Sequence, residues 1–149
     1  MPVHRPSANE AQPPSAREMS VLPRKPVALI PAKARSGRLP EKNFRPFVGG
    51  KSLLEIKIEQ CLASGAFDCI YVSSDSEAAA GPAARHDVQF ILRDPRFARD
   101  DLPWSEALAG MLDELPVKDD SYVAIVPVTT PLFHRFEDAL ALLGEDGRD

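Results

Sequence analysis

Val27-Ala-Leu-Ile-Pro31 is followed at once by Ala-Lys-Ala-Arg-Ser-Gly-Arg-Leu-Pro-Glu-Lys-Asn43, and this junction decides the fold. A short, wholly apolar run that stops at a proline reads as a strand buried on both faces of a parallel sheet. The loop after it carries Lys33, Arg35, Arg38 and Lys42, with Arg45 and Lys51 close behind and only Glu41 opposed. The whole chain has a formal net charge of −4 over 149 residues. A concentrated basic loop on an acidic protein suits a small anionic ligand, whereas a nucleic-acid polymer is normally met by a general basic excess.

Outward from that junction the pattern alternates. Leu53, Leu54, Ile56, Ile58, Cys61 and Leu62 give a helical apolar face that ends near Gly65. Cys69–Ser73 reads as a second strand, and Ser76 caps a helix running to about Arg85. Val88–Leu92 is a third strand, and Arg93–Pro103 is irregular. Trp104–Leu115 is a helix with Leu108, Met111, Leu112 and Leu115 on one face. Tyr122–Val126 is a fourth strand, and Phe136–Leu143 is a last helix cut off by the Gly144 segment. Strands alternating with helices predict a three-layer α/β/α, Rossmann-like, mostly parallel sheet. Ligands in such sheets bind beyond the carboxyl ends of the strands. Four loops should therefore converge: 31–43, 73–76, 93–101 and 127–131.

Residues 1–24 hold five prolines and no apolar period, and read as a disordered leader without a secretory signal's apolar core. Residues 25–149 then form the folded part. No apolar run approaches the roughly 18 residues of a membrane span, so the expectation is a cytoplasmic protein that meets no membrane. Cys61 and Cys69 fall in apolar patterns without metal-ligand spacing, which points to core packing in a reduced compartment.

The basic loop is suited to a triphosphate. Lys33, Arg35, Arg38 and Lys42 supply cations, arginine forks match phosphate oxygens, and Ser36 and Gly37 allow close backbone approach as in an anion nest. Two competing motifs fail. Gly50-Lys51-Ser52 resembles the end of a P-loop, but the required first glycine would fall where Arg45 stands. No G-x-G-x-x-G follows any strand. A glycosyltransferase would usually need an Asp-x-Asp motif after a central strand, and Asp68 and Asp75 are not so spaced.

The same segment is similar to the signature of the acylneuraminate and 3-deoxy-manno-octulosonate (KDO) cytidylyltransferases, roughly I-P-A-R-x-x-S-[KT]-[GR]-[LI]-P-x-K-[NP]. Pro31, Ala32, Ser36, Arg38, Leu39, Pro40, Lys42 and Asn43 match it. Tyr71–Glu77 resembles V-S-T-D-[SD]-E, Arg93 to Asp100 resembles R-P-x-x-L-A-x-D, and Val126–Leu132 resembles Q-P-T-S-P-L-R. Four segments in the right order imply a fold of the nucleotide-diphospho-sugar transferase type. They also imply transfer of CMP from CTP to an acidic sugar, such as a sialic-acid-like nonulosonate.

By this resemblance Arg38 and Lys42 carry the catalytic charge on the leaving pyrophosphate. Ala32, Lys33, Arg35, Ser36, Gly37, Asn43, Asp75 and Arg93 contact the nucleotide, and Thr129 and Thr130 face the sugar. Mg²⁺ and a homodimer are implied as well, with no metal ligands identified. Departures exist: Lys33 stands for arginine, Gly37 for lysine, Val126 for glutamine and Phe133 for arginine. Nothing after Leu143 supplies the family's late metal-binding aspartates, and Asp75, Asp100 and Asp101 are the carboxylates nearest the expected cleft. A KDO-type enzyme, a truncated or inactive form, a non-catalytic nucleotide-binding fragment and one half of a split enzyme therefore remain open readings. His134 reads as a helix-start residue.

Overall fold

The computed structural model describes residues 25–35 and 40–146. The expected leader, 1–24, lies outside the described residues, as do Ser36, Gly37 and Arg38. Strand β1 (Val27–Pro31) is followed by a small antiparallel pair, β2 (Pro46–Val48) and β3 (Lys51–Ser52), and by helix α1 (Leu53–Ser64). Strand β4 (Cys69–Ser74), helix α2 (Ala80–Arg85), strand β5 (Gln89–Leu92) and helix α3 (Trp104–Asp113) come next. Strand β6 (Val123–Ile125) and helix α4 (Phe136–Asp146) complete the described chain. The main sheet is all parallel, in the order β5-β4-β1-β6.

Alternation along β1 sorts the core into two layers. Ala28 and Ile30 face one side with Leu54, Ile58, Cys61, Ala83 and Phe136, so α1, α2 and α4 cover that face. Leu29 faces the other with Met111 and Leu115, so α3 covers it. The three-layer reading of the sequence therefore stands. From β1 the chain steps to β4 and β5, then crosses back to place β6 on the far side of β1. The direction reverses between β1 and β6, which is where a doubly wound sheet opens a crevice.

Helix α1 begins at a capping box. The Ser52 hydroxyl accepts from the Glu55 N–H, and the Glu55 carboxylate accepts from the Ser52 N–H, each at 3.2 Å. It ends at Gly65, which takes the left-handed conformation at φ 62°.

Three expectations need correction. The 32–51 loop contains the β2–β3 pair, because Gly49 and Gly50 both take positive φ and make the tight two-residue turn that only such residues adopt readily. Leu112 is exposed, and Ala107 takes its place beside Met111 on the buried face of α3. Helix α4 runs through Gly144 to Asp146 instead of stopping there. Of the cysteines, Cys61 is buried and burial pushes its thiol up to about 12, so it is an inert packing group. Cys69 is only half-buried.

Lys57 is the unexpected core residue. It is fully buried on α1, and its ammonium donates to the carbonyls of Thr130 and Phe133 at 2.7 Å each. The ring of Phe136 lies 5.6 Å away, and no carboxylate pairs with Lys57 among the described residues. Burial holds its pKa below the ordinary lysine value. Gln60, one turn on, donates to the Pro131 carbonyl at 2.7 Å. Together they pin the 130–133 backbone to α1. Lys57→Met keeps the volume but leaves two carbonyls without donors, at a cost of about 1–3 kcal/mol. The expected result is a thermal midpoint lower by several degrees, with faster amide exchange confined at first to residues 127–133, measured by calorimetry and hydrogen exchange.

Candidate active site

A cleft of about 370 Å³ opens at the carboxyl ends of β1 and β6. Pro31, Ile125, Pro127 and Val128 form its floor and one wall, and Lys33, Arg35, Lys42, Asn43, Arg93 and Thr129 bring the polar groups. Three of the four loops expected to meet there line it directly. The fourth, 73–76, holds two of them from behind, through Ser73 and Asp75.

The basic loop is held by its main chain. The Ala32 N–H donates to the Ser73 carbonyl at 2.9 Å, which extends the β1–β4 pairing past Pro31. The Ala34 N–H donates to the Asp75 carboxylate at 2.7 Å. The Asn43 side-chain amide donates to the Lys33 carbonyl at 2.8 Å, and the Glu41 N–H donates to the Ala34 carbonyl at 2.8 Å. Glu41 takes φ 57°, a left-handed conformation uncommon outside glycine and asparagine. The side chains of Lys33, Arg35 and Lys42 are thereby delivered to one cleft.

Arg93 approaches from β5. It is buried, and its guanidinium donates from Nε to the Ser73 hydroxyl at 3.1 Å and from Nη2 to the Ser73 carbonyl at 2.9 Å. Burial draws its pKa below the ordinary value, while the carboxylates of Asp75 and Glu114 draw it back up. Arginine stays charged under these conditions, so a fixed cation faces the cleft. The nearby acidic residues in the chain pair elsewhere, Asp94 with Arg96 and Asp100 with Lys33.

The Lys33–Asp100 contact, at 2.5 Å, crosses the cleft mouth. Asp101 pairs instead with Arg99. The cleft thus gathers four cations and one carboxylate among the described residues. Asn43 is buried, and its carbonyl oxygen Oδ1 has no partner. Asn43 lines the cleft, and its side-chain amide fixes the Lys33 carbonyl beneath it.

The structure shows where the other expected site residues stand. Ala32 sits in the core, and its N–H is used by the Ser73 carbonyl. Asp75 is a brace for the Ala34 amide, and it is not among the residues lining the cleft. Thr129 lines the cleft, but the Thr130 hydroxyl turns back to the Pro127 carbonyl at 3.0 Å and its own carbonyl accepts from Lys57. Val126 is buried in the core, and Phe133 packs edge-on against Phe136 at 5.4 Å. His134 precedes α4 and lies away from the cleft, in a surface depression with Arg135 and Glu137. Sequence reasoning missed Trp104, which lines the cleft from the first position of α3. Its signal was its position directly after the Asp100-containing segment.

The donor set does not fit a resident divalent cation. No group of three or more histidine, cysteine, aspartate or glutamate side chains converges among the described residues. Asp75 is committed to an amide and Asp100 to a lysine, so no catalytic step is assigned to a metal. No helix among the described residues is long and apolar enough to cross a membrane.

Comparison with known proteins agrees with this geometry. A family model described as cytidylyltransferase matches residues 27–136. The chain is 31% identical over 110 residues to an N-acylneuraminate cytidylyltransferase of Streptococcus agalactiae, a match covering 72% of this chain and 26% of that protein. It is 32% identical over 114 residues to a pseudaminic acid cytidylyltransferase of Campylobacter jejuni, covering 74% of this chain and 49% of that protein. The match therefore spans at most about half the length of these relatives. Among solved structures, a CMP:2-keto-3-deoxy-manno-octonic acid synthetase complexed with CTP superposes with a TM-score of 0.67. That superposition is at 19% identity and covers 84% of this chain and 49% of that one, a likeness of fold. Matched by that model over most of its length, the chain belongs to the cytidylyltransferase family.

Proposed function

We propose that this chain binds CTP in the β1–β6 cleft and serves the transfer of CMP to an acidic sugar of the nonulosonate type. The observation that carries the reading is the gathering of Lys33, Arg35, Lys42 and Arg93 around one cleft at the sheet's switch point. A triphosphate carries close to four negative charges, and an array of this kind meets them. The names of the two relatives, one for sialic acid and one for pseudaminic acid, support an acidic sugar as acceptor.

In the reaction a sugar hydroxyl attacks the α-phosphorus of CTP, and the bond to the β-phosphate oxygen breaks to release pyrophosphate. Such chemistry depends on positioning and on stabilising the charge that builds on the leaving group. Lys42 and Arg38 hold the leaving phosphates. Lys33 exchanges Asp100 for a phosphate oxygen, and Arg35 assists from the exposed rim. Arg93, fixed by Ser73, contributes a cation that does not reorganise. Asn43 holds the loop beside the nucleoside, and Thr129 lies toward the sugar. Asp75 and Asp100 are already engaged, so no step is drawn through the Mg²⁺ that the resemblance implies.

Lys42→Ala and Arg38→Ala should each weaken CTP binding by roughly ten- to a hundredfold, the equivalent of about 1.5–3 kcal/mol for one charge-assisted contact. Thermal midpoints without ligand should stay near wild type, because both residues belong to a polar loop sequence without apolar periodicity, and changes outside the core usually fall within about 0.5 kcal/mol. Titration calorimetry paired with thermal melts reads both quantities. Unchanged CTP affinity in both variants would remove the phosphate-loop reading.

Asp75→Ala should behave differently. It takes away the acceptor of the Ala34 N–H and a carboxylate acting on Arg93, so stability falls by about 1–3 kcal/mol and CTP affinity falls with it. Asp75→Asn retains an acceptor oxygen and should recover most of the stability. An Asp75→Ala chain that melts like wild type yet fails to bind CTP would assign this carboxylate to the ligand instead of to the loop.

A further inference from the structure

Trp104 is the single tryptophan of the chain and is 58% exposed. Isolated exposed apolar residues are ordinary, and several others occur on this surface. Trp104 differs in where it stands. The buried face of its helix is made by Ala107, Gly110 and Met111, so the indole contributes nothing to the core. It lines the cleft together with Lys33, Arg35, Lys42 and Asp100. An aromatic platform beside a row of cations is the arrangement that reads a phosphorylated ring: the cations take the phosphates and the indole face takes the ring.

Two rings are on offer in the proposed reaction, and charge decides between them. The acceptor sugar is an acid, and Asp100 stands on the same rim as Trp104, so a second carboxylate there is repelled. Cytosine is neutral, has a π face, and carries an exocyclic amine that suits a neighbouring carboxylate. Thr129, the residue expected toward the sugar, comes from a different element, the loop after β6. We propose that Trp104 is the stacking platform for the nucleobase of the bound nucleotide. This rests on the CTP reading above and adds a residue and a subsite to it.

The single tryptophan makes the test direct. Wild type, Trp104→Ala and Trp104→Phe are titrated by calorimetry with CTP and, separately, with inorganic tripolyphosphate, which keeps the charge and lacks the base. Wild-type tryptophan fluorescence is followed in parallel. The expected result is quenching by CTP and little change with tripolyphosphate. Trp104→Ala should bind CTP about five- to a hundredfold more weakly, while its tripolyphosphate affinity is unchanged and Trp104→Phe retains most of the CTP affinity. Thermal midpoints should match, since the side chain is outside the core.

CTP binding equally well to wild type and Trp104→Ala would overturn the platform and leave the phosphate loop standing. Wild type binding CTP no more tightly than tripolyphosphate would do the same. Binding of neither ligand to folded wild type would overturn the phosphate-loop reading and the platform with it.

Discussion

The bond from the Ala34 N–H to the Asp75 carboxylate, 2.7 Å long, is the constraint on which the cleft depends. The chain leaves the sheet at Pro31 carrying cations that repel one another and Arg93. Left alone, such a loop would swing into solvent, where the charges are screened. Asp75 holds the loop from the end of β4, and the same carboxylate offsets the burial of the Arg93 cation. One acidic group thus holds the path of the loop and, with Glu114, offsets the burial of the cation behind it. Removing it would loosen the geometry and raise the local repulsion together.

The two sides of the cleft are built by different means. On the basic side, side chains line the cleft and the main chain is fixed by its own amides. On the β6 side the reverse holds. There the carbonyls of Thr130, Pro131 and Phe133 point away from the cleft and are gathered by Lys57 and Gln60 from α1. A buried ammonium with only carbonyl and ring partners is costly to desolvate. It persists because the Thr130 and Phe133 carbonyls would otherwise lose their donor.

Much of this was legible in the sequence, and the failures share a cause. The apolar runs at 27–30, 69–73 and 122–126 were readable because burial on both faces imposes a composition. The meeting of the loops followed from the sheet rule alone. The bonds that Ala32, Asp75 and Thr130 make were not readable, because a sequence shows which polar groups a loop contains, not which are already satisfied by a neighbour. Asp75 and Ala34 are far apart in the chain, and no local pattern marks their bond. The hairpin at Gly49-Gly50 was locally readable, yet it was absorbed into a stretch whose charge dominated the reading. Trp104 went unnoticed because the helix was read for its core face, and the indole lies off it.

The hydrogen bond between the Glu41 N–H and the Ala34 carbonyl draws residues 34 and 41 together as a neck, with Glu41 turned left-handed to make the closure. Whatever lies between those two residues begins and ends at fixed points. Evolution, or an engineer, can therefore rewrite the segment 35–40 as an interchangeable cassette, altering which anion is favoured without renegotiating the sheet beneath. The positions with less freedom are the plain ones at the neck, Ala34 and Glu41, whose main chains make the closure.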